Sequence, residues 1–263
     1  MNRSTASSTT GAASWIALTA LVLAVLPACG AGRATSSTGT PSAEPAASSV
    51  AEPTPSTSST TASPATAGTA ALLASAQTQL SGMRQSDYQH ETAVDAAAGR
   101  YDYDCSGFID YTLTQVSPAA LAEIPTTASA GRALAQDFEG FFSRLGAGDA
   151  HWTRVPTVPE IRPGDIVAWL VSPDTQSRDT GHVMIAATVP EPDPTISGAY
   201  RLQIIDSTTS PHADDSRTNG ATGLGTGSIG LAVDAQGQPT GFYWQGGRKP
   251  DEATSIAVGR LTG

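Results

Sequence analysis

Between Gly30 and Thr69 the chain is written almost wholly in Ala, Ser, Thr, Pro and Gly, interrupted by two Glu, one Arg and one Val. A segment without aromatic residues cannot bury enough apolar surface to offset the entropy of ordering it. It is expected to be a tether, kept loosely extended by its prolines. Any compact structure must therefore come from the residues after it, about 190 of them, which is enough for a single core.

Ahead of the tether stand Arg3, an apolar run from Trp15 to Leu26, and then Leu26-Pro27-Ala28-Cys29. The run is about a dozen residues, short of the roughly 20 that a membrane-crossing helix needs, and small residues follow it as signal peptidase requires. Residues 1–28 are expected to be an export signal. Leu-Pro-Ala-Cys resembles a bacterial lipobox, which makes Cys29 the expected lipidation site. Residues 29–69 would then hold a domain at 70–263 away from the outer face of the cell membrane. Plain secretion after cleavage near Ala28 is the alternative.

Export gives the cysteine count its meaning. The chain has two cysteines, and exported proteins usually pair theirs as disulfides. With Cys29 consumed by lipidation or cleavage, Cys105 has no partner, and an idle thiol in an oxidising compartment is a liability. The formal charge of -10 and the lack of a basic cluster speak against nucleic acid as a partner. They also give no reason for adsorption to anionic lipid, and a monomer is expected.

Cys105 follows Asp104 at the head of a run in which Phe108, Ile109, Tyr111, Leu113 and Val116 can form one broad apolar face. The spacing predicts a helix over 105–116, with Asp104 as its N-cap and Ser117-Pro118 as its stop. Further helices are predicted over 71–83, 118–124 and 131–145. From residue 165 the periodicity changes to short β-branched or apolar runs. These predict strands over 165–171, 182–189 and 201–207, a hairpin of 228–234 with 241–245, and a last strand over 254–261. Helices first and strands afterwards give an α+β class. The glycine-rich run 223–230 lacks the strand and helix that frame a dinucleotide loop, so a flexible loop at a cleft edge is expected. His212, Asp214 and Asp215 are expected in a solvated polar loop rather than on a metal.

Nucleophilic cysteine chemistry needs an acidified thiol, a base beside it and a group that fixes the base. Free N–H groups at a helix start favour a thiolate below its usual pKa of about 8.5, and the same groups can receive an oxyanion. Of His90, His151, His182 and His212, His182 opens a strand and is best placed as the base. Asp206 ends the next strand and can reach the ring if the two strands pair antiparallel. His212 is the other candidate for that third position. Trp152 is a candidate cleft aromatic, and Asp165 is assigned to the Pro163-Gly164-Asp165 turn.

Asp-Cys-Ser-Gly at a helix start, Arg-Pro-Gly-Asp entering a strand and Gly-His-Val opening the next follow in that order over residues 105–207. Together they resemble the NlpC-type cell-wall cysteine peptidases of the papain-like superfamily. The resemblance implies a papain-like NlpC-type fold, with N-terminal helices packed on an antiparallel β-sheet, and no cofactor. It implies Cys105 as nucleophile, His182 as base and Asp206 as orienting residue. Asp104 and Ser106 would help hold a free amine of the substrate, and Tyr103 or Tyr101 would line the cleft. The implied substrate is a peptidoglycan stem peptide. Three departures bear on this: Asp206 stands where the family more often has His, Asn or Gln, and the segments 118–145 and 190–200 are not the family's usual ones. Two rivals therefore remain open, a catalytically silent envelope lipoprotein that binds a peptide or wall fragment, and acyl chemistry on a lipid or small amide.

Overall fold

The computed structural model describes residues 66–146, 149–171, 179–247 and 252–263. The expected export signal, the lipidation site Cys29 and the tether up to residue 65 lie outside the described residues. The folded part opens with α1 (Ala67–Gly82), a few residues ahead of the expected boundary at 70. Thr66 starts it early, because its hydroxyl accepts the Thr69 N–H at 3.3 Å and donates to the Leu261 carbonyl at 2.5 Å. Gly68 lets the helix lie on the last strand: a Cβ there would come within 2.7 Å of Leu261.

After α1 come β1 (Ala93–Asp95) and β2 (Arg100–Asp102), a small antiparallel pair, then α2 (Cys105–Val116), α3 (Pro118–Ala122) and α4 (Ala135–Arg144). The rest is strand: β3 (Trp152–Arg154), β4 (Ile166–Leu170), β5 (Gly181–Ala186), β6 (Glu191–Pro192), β7 (Ala199–Thr208), β8 (Gly223–Val233), β9 (Pro239–Gly247), β10 (Glu252–Ala253) and β11 (Ile256–Leu261). They form one sheet in the order β10-β9-β8-β7-β5-β4-β11-β3, with β6 attached to β7 and each ladder antiparallel. The class is α+β, with a few helices on an antiparallel sheet.

Central strands that bury both faces read as continuous apolar runs, because successive side chains point to opposite sides. In β4 and β5, Ile166, Ala168, Val183 and Ile185 face the helices, where they meet Phe108, Ile109, Phe138 and Phe142. Val167, Trp169 and Met184 point the other way, into a second core with Leu202, Ile204, Ile229, Leu231 and Phe242. Each such fully buried side chain stabilises the fold by about 1.5–3 kcal/mol.

Two expectations fail. The helix predicted over 131–145 begins only at Ala135, where the Asp137 carboxylate accepts the Leu134 N–H at 2.8 Å. Residues 131–133 stay outside it, and Arg132 is drawn instead onto Asp104 and Ser106. The run 223–230, expected as a flexible loop, is the first part of β8, paired with β7 residue for residue from Gly223↔Thr208 to Gly230↔Arg201. Its glycines are not there for flexibility: Gly225 lies under the Arg217 side chain and Gly227 under His212, where a Cβ would come within 2.8 and 2.6 Å.

One irregularity positions the site. The ladder between β5 and β7 consists of Ile185↔Ile205 and Ala186↔Ile204. Beyond it the strands part, and the start of α2 sits against both. The Val183 N–H faces the Cys105 sulfur, and Ser207 Oγ donates to the Tyr103 carbonyl at 2.6 Å.

Candidate active site

Asp206 lies in β7 with its side chain fully buried, and three groups converge on its carboxylate. His182 Nε2 is 2.7 Å from Oδ2, His212 Nε2 is 2.9 Å from the same oxygen, and Arg217 donates to Oδ1 at 2.8 Å. Burial by itself raises the pKa of a carboxylic acid, but the two histidine contacts outweigh it and hold Asp206 well below the usual carboxylate range. An ionised carboxylate only accepts, so His182 Nε2 carries a proton, and in the neutral ring Nδ1 is then the accepting nitrogen. The ring is wedged between Trp169 and Trp244, with centroids 5.7 and 5.1 Å away. The expected His182–Asp206 contact is therefore made. His212, the alternative third residue, does not replace Asp206 but stands behind it.

The half that carries Cys105 is built on α2. Asp104 caps that helix as expected, accepting the Gly107 N–H at 2.7 Å. The same carboxylate takes Ser106 Oγ at 3.2 Å, Arg132 at 2.5 Å and His90 Nδ1 at 3.1 Å. Ser106 accepts a second Arg132 bond at 2.6 Å. Cys105 keeps a relative exposure of 6%. Its sulfur borders a cavity of about 110 Å³ that Tyr88, His90, Asp104, Asp179 and Gly181 help to line.

The thiol is not acidified as the sequence led one to expect. Burial, with the Asp104 and Asp206 carboxylates adding to it, pushes its pKa up to about 12 against the opposing pull of the Val183 and Ser106 amides. Among the described residues no hydrogen bond links the sulfur to the His182 ring; the backbone amides of Val183 and Ser106 face it instead. The two halves nevertheless adjoin. The cavity beside Cys105 and a larger one of about 460 Å³ beside His182, Trp169, Thr208 and Trp244 share Tyr88, Asp179 and Gly181 as walls.

Two expected cleft residues belong to the core instead. Tyr103 is fully buried, with its hydroxyl donating to Gln79 Oε1 at 2.8 Å; Tyr101, its alternative, is also buried. Trp152 sits in β3, at the sheet edge away from the site. It packs on Phe142 with centroids 5.2 Å apart and donates Nε1–H to the Ala120 carbonyl at 3.1 Å. The aromatic residue that does line both cavities is Tyr88, whose phenol is pushed up by burial and then by Cys105 and Asp104. In sequence it stands in a polar stretch with no helical or strand period. Arg132 and Arg217 were missed for the same reason, since both are brought in by loops.

Asp165 is structural, as expected: its carboxylate accepts two bonds from Arg260, at 2.8 and 2.7 Å, and the Arg162 N–H at 2.8 Å. His212 and Asp215 are not in a solvated loop. Their side chains are buried, Asp215 bound to Arg217 and to the His212 N–H at 2.8 Å. His182, Asp206 and His212 offer atoms within 4.8 Å of one another, which is the closest set to a metal centre among the described residues. The 2.7 and 2.9 Å contacts have hydrogen-bond length, whereas ligand atoms around a tetrahedral zinc at about 2.1 Å lie roughly 3.4 Å apart.

Comparison with protein-family models, with curated proteins and with solved structures gave no match, so the function rests on the site itself.

Proposed function

We propose that this domain is a papain-like cysteine hydrolase that opens an amide bond through an acyl-enzyme, with Cys105 as nucleophile, His182 as base and Asp206 as the residue orienting the base. The observation that carries the reading is the His182–Asp206 contact of 2.7 Å set beside the cleft where Cys105 opens α2. It fixes the tautomer that leaves Nδ1 free to take a proton, as a base for a thiol requires.

With the thiol pushed up to about 12, the reaction starts from a neutral Cys–His pair. His182 Nδ1 takes the Cys105 proton as sulfur attacks the carbonyl carbon, and the Val183 and Ser106 amides that face the sulfur steady the charge building there. His182 then protonates the leaving amine, and a water deprotonated by the same ring releases the acid. Asp104, held by Arg132 and Ser106 at the rim, supplies an anionic edge suited to an amine of the substrate. The resemblance to NlpC-type peptidases points to peptidoglycan stem peptides and to a lipid-anchored place in the cell envelope.

Purified protein incubated with muropeptides should release new amines detectable by mass spectrometry, and Cys105→Ala should abolish them. Intact muropeptides together with an active thiol would move the substrate to a lipid or small amide. A second reading, a silent binding protein, is favoured by the raised thiol pKa and the open sulfur–imidazole contact. It is upheld if iodoacetamide labels Cys105 no faster than a free thiol and His182→Ala changes nothing.

A further inference from the structure

Four ionisable side chains are packed behind His182 with almost no solvent contact. Asp206 and His212 are 0% exposed at their side chains, Arg217 4% and Asp215 5%. They face one another from β7 and the segment that follows it. Asp206 takes Arg217 at 2.8 Å and His212 at 2.9 Å, and Asp215 takes Arg217 at 2.8 and 3.0 Å together with the His212 backbone N–H at 2.8 Å. The remaining neighbours are His182 from β5 and Trp244 from β9, whose ring lies 4.1 Å from that of His212. Asp214 turns outward to Arg201 and is exposed.

Hydrogen-bond roles fix the protons. The Trp244 carbonyl lies 3.2 Å from His212 Nδ1 and can only accept, so Nδ1 carries a proton. The Asp206 carboxylate, which takes Arg217 on its other oxygen, also only accepts, so His212 Nε2 carries one too. Charge balance is consistent with this assignment. Asp206 and Asp215 contribute two negative charges and Arg217 one positive, so one of the two rings on Asp206 must be protonated to avoid a costly buried net charge; His212, whose Nδ1 also faces a carbonyl, is the ring with acceptors on both nitrogens.

We infer that His212 stands as an imidazolium in the resting site, a positioning residue that donates from both ring nitrogens, closes a neutral buried cluster around Asp206 and thereby leaves His182 uncharged, with Nδ1 unprotonated. The protonation of His212 stands on this geometry alone; its consequence for reaction rests on the hydrolase reading above. With its charge already matched by Arg217 and His212, Asp206 orients His182 without strongly favouring its protonated form. The site rests as thiol and imidazole rather than as a thiolate–imidazolium pair.

Nitrogen-15 NMR of histidine side chains in the full-length protein tests the inference, with the His212 signals assigned by their loss in His212→Gln. At pH 7 His212 should show two protonated ring nitrogens and His182 one. A single protonated nitrogen on His212 at pH 7 would overturn the proposal, as would one equivalent of zinc in the purified protein.

The glutamine variant keeps a donor for Asp206 but removes the charge, so protonated His182 becomes more favourable. Iodoacetamide labelling of Cys105 at pH 6 should rise several-fold, and the acid limb of the labelling profile should move up by about one pH unit. A uniform fall with an unmoved limb would mean that His212 is only structural. If the NMR pattern holds and muropeptides stay intact, the hydrolase reading fails and the imidazolium stands.

Discussion

The two sides of the cleft are built to opposite standards. On the strand side, each charge around Asp206 is matched by another at hydrogen-bond distance. On the helix side, α2 carries Cys105 with its pKa pushed up to about 12 and Asp110 with both carboxylate oxygens buried and lacking a hydrogen bond. Asp110 has Arg132 at 3.8 Å, but that guanidinium is committed to Asp104 at 2.5 Å, and burial pushes the Asp110 pKa up to about 7. One half is relaxed, and the other holds Asp110 away from its preferred ionisation. A base must already point correctly when substrate arrives, whereas a buried thiol with a raised pKa depends on that base to become a nucleophile.

The contrast breaks most sharply at the sulfur. Cys105→Ser should lower amide hydrolysis by roughly 10³-fold or more with little change in melting temperature; retained hydrolysis would remove the helix side from the chemistry. Next in size, Asp206→Ala takes the buried anion away from His212 and leaves Arg217 with Asp215 alone, and should cost about 3–5 kcal/mol in chemical denaturation. A loss under 1 kcal/mol would show that the strand side is not the rigid half.

Acidity sharpens the comparison because the two carboxylates respond with opposite sign. Asp206 has its pKa depressed, so its contribution is present above the unfolded value near 4 and is lost as pH falls below it. Asp110 is raised to about 7, so the folded state binds its proton more tightly and stability falls as pH climbs from about 4 to about 7. Asp110→Asn should therefore gain on the order of 1 kcal/mol at pH 8 and nothing at pH 4. Paired melting curves across that range would decide it; a gain independent of pH would contradict the picture of a strained helix side. Smallest of all, Trp152→Phe loses one buried hydrogen bond, about 1 kcal/mol, and should leave hydrolysis unchanged, since β3 lies across the sheet from the cleft.

Legibility in the sequence followed the same division between local and non-local structure. Cys105 at the start of a helix capped by Asp104 depends on neighbouring residues and was readable from them. The proximity of His182 to Asp206 needed only the antiparallel pairing of two apolar runs. His212, Arg217, Arg132 and Tyr88 arrive on loops, and their placement depends on contacts that no periodicity encodes. Trp152 misled because an aromatic beside a histidine in an irregular stretch reads as a cleft, while its indole had a buried carbonyl to satisfy. The glycines of 223–230 misled because a strand is normally recognised by its side chains, and this one is shaped by lacking them.

That shaping leaves His182, the proposed base, open to control from a distance. Gly227 has no polar atom beyond its backbone, yet a single methyl group there would press on the His212 Cβ from 2.6 Å and lift the ring from its carboxylate. The tuning of the proton acceptor can thus drift through an apolar, outwardly silent change of one residue, long before any group that handles protons is altered.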